Sequence, residues 1–182
     1  MGNNNVMVIN MGMKSIRCII FSQDGVKLGS ASQAITTAIN DKQVEQNPSE
    51  WKEKALRVMR TALGEAGGCH ITYITVTTSA SCLVCVDKDG NSLGRALMIS
   101  DKRAEKEADI IGNMLEFSEV KKKTGLDMSA SLMLPKILWI KKYAPGIFEK
   151  TSFFLTPNDY LISLLCGEYV TDYLNAVKYH YI

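Results

Sequence analysis

Histidine is almost missing from these 182 residues: only His70 and His180 occur, far apart in the chain. A zinc site needs several nitrogen or sulfur ligands held close together, so none is expected. Long apolar runs are missing too. Nothing approaches the roughly 20 residues that span a bilayer. Charge of one sign is not in excess, since 21 basic and 19 acidic residues leave a net charge of +2. That balance supplies no broad field for nucleic acid or for an anionic membrane, and neither is an expected partner. The one basic cluster, Lys121-Lys122-Lys123, reads as a solvated helix end. Cysteine is present but odd in number, at Cys18, Cys69, Cys82, Cys85 and Cys166. Reduced thiols and a cytoplasmic setting suit that count better than a disulfide framework. Cys82 and Cys85 spell C-x-x-C, yet positions three apart on a strand face opposite sides. The start, Met1-Gly2-Asn3-Asn4-Asn5, has no basic region ahead of an apolar one, so no secretory signal is expected. Gly2 makes a poor acylation site, because Val6 stands where a hydroxyl residue is wanted.

What is present is an ordinary globular composition, 46% hydrophobic and 22% charged, in a length that suits one domain. Val6 to Gly25 reads as two apolar strands around a short turn at Gly12, and then a hairpin signal at Ser22-Gln23-Asp24-Gly25. A glycine turn lets backbone N–H groups approach an anion. Lys14, Ser15 and Arg17 crowd that turn and suggest a phosphate; the competing reading is a plain hairpin with solvated cations. Val26 to Ala38 reads as a third strand, followed by a polar loop over Asn40 to Gln46. Asn47-Pro48-Ser49-Glu50 is a helix start, with Asn47 to cap, Pro48 at the first position and Glu50 as capping-box acid. That helix carries Trp51, Ala55, Leu56, Val58, Met59, Ala62 and Leu63, and Gly67-Gly68 ends it.

Farther on, Ile71 to Thr78 reads as a buried strand, Leu83 to Val86 as another, and Ser92 to Ile99 as a third beyond the Asp87–Gly90 turn. Asp101 to Phe117 reads as a helix with Ala104, Ala108, Ile111 and Leu115 on one stripe. Lys121 to Gly125 closes a second helix. Ser131 to Tyr143 reads as a helix interrupted near Pro135, Phe153 to Leu155 as a brief strand, and Pro157 to Leu165 as a helix ended at Gly167. The tail, Lys178 to Ile182, has no closing element and is expected to be a cut end.

Early hairpin strands, a helix, then further strand and helix units match an α/β fold of the ribonuclease-H-like kind found in actin-like ATPases, a mixed sheet with flanking helices. Four segments sharpen this: Val8 to Arg17, Val44 to Trp51, Ala96 to Ala104, and Thr156 to Leu161 with Gly167 to Tyr173. With them the chain resembles the N-terminal domain of the FGGY carbohydrate kinases, the xylulose, ribulose, gluconate and glycerol kinases. The pattern looks nearer the xylulose-kinase branch.

The resemblance implies transfer of a phosphoryl group from ATP, with Mg²⁺, to a sugar or polyol hydroxyl. It implies one N-terminal, sugar-binding domain over residues 1–182, with the ATPase domain and the catalytic aspartate farther along a longer chain. ATP phosphates would meet Asn10, Gly12, Met13, Lys14, Ser15 and Arg17, with Asn10 at the metal-binding position. The sugar would meet Ser79, Ala80, Ser81, Asp101, Arg103 and Ser131. ATP and a small-molecule sugar are the implied partners, and a homodimer is left open. Three departures stand out. Asn10 replaces the usual aspartate, removing the charge a hard cation prefers, and Met13 replaces a hydroxyl residue. Ser79-Ala80-Ser81-Cys82 replaces the Gln-Met-His-Gly of xylulose-kinase-like proteins. An impaired relative, kept as a sugar-binding or regulatory module, is the alternative reading.

Overall fold

A computed structural model describes residues 4–114 and 117–180. The expected stripe residue Leu115, the Gly2 acylation position and the last two tail residues lie outside the described residues. Strands β1 (Val6–Met11), β2 (Ser15–Phe21) and β3 (Lys27–Ala34) follow one another antiparallel, as the glycine turn and hairpin signals require. Gly25 takes the left-handed conformation (φ 78°), and its N–H donates to the Ser22 carbonyl at 3.0 Å. That backbone form costs glycine nothing.

The third strand is shorter than expected. It stops at Ala34, and the chain starts a separate hairpin, β4 (Thr37–Asn40) with β5 (Gln43–Gln46), over the stretch expected to be a polar loop. Asp41 turns that hairpin with φ 50°. Polar side chains do not prevent pairing when both faces of a short strand can be solvated or capped. Helix α1 (Pro48–Glu65) begins and ends where its signals placed it, with Gly67 and Gly68 at φ 67° and 69°. The carboxylate of Glu50, expected to act in a capping box, accepts instead from the backbone N–H and hydroxyl of Thr36, both at 3.1 Å, and so ties the chain just after β3 to the first turn of α1.

Strand β6 (Tyr73–Thr78) then joins β1 in parallel, giving the sheet order β3-β2-β1-β6. It was expected to be buried, but Tyr73 and Ile74 are exposed and the strand lies at the sheet edge. Its β-branched residues suit a pleated surface and do not by themselves demand burial. The sheet's covered face carries Met7, Ile9, Met11, Ile16, Cys18 and Ile20, alternating as the period of two dictates. Trp51, Ala55, Val58 and Ala62 form the buried stripe of α1, whereas Leu56 points to solvent.

The remaining elements are β7 (Val84–Val86), β8 (Ala96–Leu97), α2 (Glu105–Gly112), α3 (Phe117–Thr124), α4 (Met133–Tyr143), α5 (Pro145–Lys150), β9 (Phe153–Leu155), α6 (Pro157–Cys166) and α7 (Tyr173–Lys178). The strand expected over Ser92 to Ile99 is confined to β8, because Gly94 turns the chain at φ 83°. The helix expected from Asp101 begins only at Glu105 and ends at Gly112, a second helix following from Phe117. Helix α4 is continuous: Pro135 sits in its first turn, where no intrahelical bond is lost. Helix α6 has the full capping box, Thr156 with Asp159, and closes on Gly167 at φ 78°. Two short helices, α5 and α7, were not anticipated. The second starts at Asp172, whose carboxylate accepts from the Asn175 N–H at 2.8 Å.

The chain divides into two compact units. One takes the described residues up to Thr36 with Ser49–Ser79; the other takes Thr37–Pro48 and the described residues from Ala80 onward. The first contains the four-stranded sheet and most of α1. The second holds the β4-β5-β8 sheet, the β7–β9 pair and α2 to α7, around Leu83, Cys85, Leu97, Met133 and Ile140.

Candidate functional site

In the first unit, the turn between β1 and β2 brings together the six residues expected to face phosphates. Asn10 is half-buried on β1 and pairs in register with Arg17 on one side and Thr77 on the other. Gly12 is not in the left-handed conformation, and its N–H already donates to the Ser15 carbonyl at 3.0 Å. The expected backbone donor at Gly12 is therefore committed. What the turn offers is side chains: Lys14 and Arg17 are exposed, and the Arg17 Nε donates to the Ser15 hydroxyl at 3.3 Å. Space around Gly12 is open, since a Cβ added there meets nothing within 4 Å. Met13 is half-buried in the same turn. Ser79, expected on the sugar side, ends the stretch that follows β6 and is half-buried.

Metal binding does not follow from these residues. Asn10 brings a neutral amide, and among the described residues no group of three or more histidine, cysteine, aspartate or glutamate side chains could hold an ion.

In the second unit, Asp101 and Arg103 are brought together tightly. The Asp101 carboxylate is fully buried and accepts from the Arg103 Nε at 2.9 and 3.1 Å and from its Nη2 at 2.8 Å. Its other partners are the Arg103 N–H at 3.1 Å and the Val44 N–H at 2.8 Å. Arg103 also donates to Glu45 at 2.6 Å and lies over the Trp139 ring, 5.0 Å from its centre. Burial opposes the guanidinium charge, but the hydrogen bonds it donates to Asp101 and Glu45 outweigh that and hold its pKa above the ordinary value. Bidentate pairing of this kind uses the planar fork of arginine. Both residues expected at the sugar thus spend their charge on one another, on Glu45 and on the β5 backbone.

Ala80 is half-buried and Ser81 is buried with φ 62°, a left-handed conformation that costs a residue with a side chain on the order of 1 kcal/mol or more. Ser131 is half-buried ahead of α4. Its carbonyl and that of Ser81 meet at one group, the ammonium of Lys136. Lys136 is fully buried and donates to Ser81 O at 2.6 Å, Met98 O at 2.9 Å and Ser131 O at 3.0 Å. Burial pushes its pKa down to about 8, against the pull of Cys82 and Asp101. The sequence did not mark Lys136 as a site residue, while Glu45 stood out only as part of the Val44 to Trp51 segment that carries the family resemblance. A signal existed for the lysine: it stands three residues after Met133 and four before Ile140, on the buried stripe of α4.

The model of the "FGGY family of carbohydrate kinases, N-terminal domain" matches residues 5–182. The chain belongs to the FGGY family of carbohydrate kinases. It is 32% identical over 181 residues to a glycerol kinase of Thermococcus onnurineus, covering 95% of this chain and 36% of that protein. It is 24% identical over 168 residues to a xylulose kinase of Staphylococcus xylosus, covering 92% and 35% respectively. The solved xylulose kinase of Rhodospirillum rubrum superposes with a TM-score of 0.93 at 23% identity, covering 98% of this chain and 37% of that one. The ribonuclease-H-like α/β fold expected from the hairpins is thereby the fold of this FGGY chain. The chain spans about a third of the length of the curated relatives it matches. These relatives do not single out the xylulose branch that the sequence pattern suggested.

Proposed function

We propose that residues 1–182 are the N-terminal, sugar-side domain of an ATP-dependent sugar or polyol kinase whose ATPase domain follows in the same polypeptide. One observation carries the reading: the family match runs from residue 5 to residue 182, a range that takes in both the glycine turn and the Asp101–Arg103 segment. In this reading MgATP is a substrate. The acceptor hydroxyl attacks the γ-phosphorus, the bond to the β-γ bridging oxygen breaks, and the hydroxyl proton passes to a carboxylate supplied from outside these residues. Lys14, Ser15 and Arg17 offset phosphate charge. Ala80, Ser81 and Ser131 line the acceptor, and Asp101 and Arg103 act through the loops they hold. D-Xylulose is the first acceptor to test, with glycerol and gluconate next. The same reading puts the protein in the cytoplasm, with ATP and a small sugar as its partners and a homodimer as one assembly to test.

Asn10 favours a second reading, a sugar-binding or regulatory module with impaired transfer, because it removes a charge from the position where a hydrated cation would be held. ATP consumption by the full-length protein, screened over pentuloses, hexonates and polyols, separates the two. Turnover with one acceptor class supports the kinase, and Asn10→Asp is then expected to raise kcat about tenfold or more. No turnover, with sugar-induced thermal stabilisation, supports the module. Neither response to any of these compounds overturns both.

A further inference from the structure

Lysine is among the residues least often buried without a partner, and desolvating its ammonium is costly. Lys136 is nevertheless fully buried, and the three donors of its ammonium match three main-chain carbonyls. Among the described residues its hydrogen-bond acceptors are these carbonyls and no carboxylate. They come from three separate stretches of the second unit: Ser81 ahead of β7, Met98 just after β8, and Ser131 ahead of α4. An apolar residue on the α4 stripe would pack there with less penalty, yet would leave three buried carbonyls short of a donor. The shortest of the three bonds goes to Ser81, the residue held in a left-handed conformation. Strained backbone of that kind persists only where its surroundings over-determine it.

We infer that Lys136 is the positioning residue of the acceptor site, its ammonium clamping the main chain at Ser81, Met98 and Ser131 so that the loops carrying the acceptor contacts hold one geometry. The inference rests on the proposed sugar-kinase reading, since Ser81 and Ser131 are acceptor residues only under it. The clamp does not touch the acceptor or the phosphates. It acts through two loops that do, and through the Met98 carbonyl it also fixes the approach to Asp101 and Arg103. Around the ammonium stand Asp101 and Arg103 from the stretch after β8, and Cys82 from the stretch before β7.

The test uses the full-length protein with Lys136→Met, which keeps length and removes all three donors, and Lys136→Gln, which keeps two. With D-xylulose, glycerol and gluconate as acceptors, Lys136→Met is expected to raise the acceptor KM at least tenfold. The ATP KM is expected to stay within twofold, and Lys136→Gln to fall between. Hydrogen exchange supplies the readout that needs no turnover. Amides of residues 79–83, 98–103 and 129–132 are expected to exchange at least tenfold faster in Lys136→Met, while those of β1, β2 and β3 are unchanged. If Lys136→Met does not fold, Lys136→Gln is read by the same two measures. Unchanged exchange at the three loops overturns the clamp, and so does an acceptor KM that moves no more than the ATP KM. A wild-type protein silent towards every acceptor speaks against the kinase reading, while the exchange comparison still decides the clamp.

Discussion

At the scale of single residues, charge and burial have been traded in specific places. Asp101, Arg103 and Glu45 form a cluster around one buried carboxylate, in which the guanidinium donates to Asp101 and to half-buried Glu45. Breaking such a cluster leaves an uncompensated charge, which is why pairs of this type hold loops firmly even where they add little net stability. The thiols show the opposite strategy, burial of a neutral group. Cys18, Cys82 and Cys85 are buried, and desolvation pushes each pKa up to about 11, so very little thiolate exists near neutrality. Cys69 is half-buried and Cys166 exposed. Pulse alkylation at pH 8 followed by peptide mapping is therefore expected to label Cys166 and Cys69 within minutes. Cys18, Cys82 and Cys85 should stay protected until denaturant is added, and rapid labelling of any of the three would contradict their burial.

At the scale of elements, the close approach of β3 to α1 is the most demanding contact. A Cβ placed on Gly29 would collide with the Ala62 carbonyl oxygen and lie 2.8 Å from the Ala66 N, both main-chain atoms that cannot swing aside. Gly29→Ala is expected to cost about 2–3 kcal/mol, as overpacking against rigid neighbours does. Chemical denaturation checks this through a lowered midpoint at unchanged slope. Elements with punctuation at both ends were legible from the chain. Helix α1 has Asn47-Pro48 before it and Gly67-Gly68 after it, and α6 has Thr156-Pro157 and Gly167. Elements lacking such marks were not. The β4–β5 hairpin is polar and turns on Asp41, so nothing separated it from a loop. Likewise α5 and α7 are six residues each, too short for periodicity to speak.

At the scale of the whole molecule, stability at alkaline pH is set by buried groups working against one another. Lys136 has its pKa lowered to about 8 from 10.5. The native state therefore binds fewer protons than the unfolded chain between those values, and stability rises as pH climbs through 8. The three buried thiols have values raised from 9.0 to about 11. Their contribution is fully present below pH 9 and is lost as pH rises through 11. Between pH 8 and 9 the lysine leads; above 9 the three thiols oppose it, and above 10 so do Tyr160 and Tyr179, whose phenols burial also holds protonated. Urea midpoints are accordingly expected to rise modestly from pH 8 to about 9 and then to fall. In Lys136→Met the first rise should vanish while the later fall remains, and a rise of equal size in that variant would refute the assignment.

The sequence by itself determined the order of the first three strands, the boundaries of α1 and α6, and the kinship with sugar kinases. Those depend on local rules: glycine and proline at turns and caps, and apolar spacing along each element. It also put Asp101, Arg103, Ser81 and Ser131 on the candidate list, but not their relations to one another. Only the tertiary structure decided that Arg103 is shared between Asp101 and Glu45, residues 58 apart from Glu45 to Arg103. Only it decided that Gly12 spends its N–H on its own hairpin, and that Lys136 joins carbonyls 55, 38 and 5 residues away. Such contacts arise when distant segments converge, and no periodicity along the chain encodes which buried carbonyl a lysine will meet.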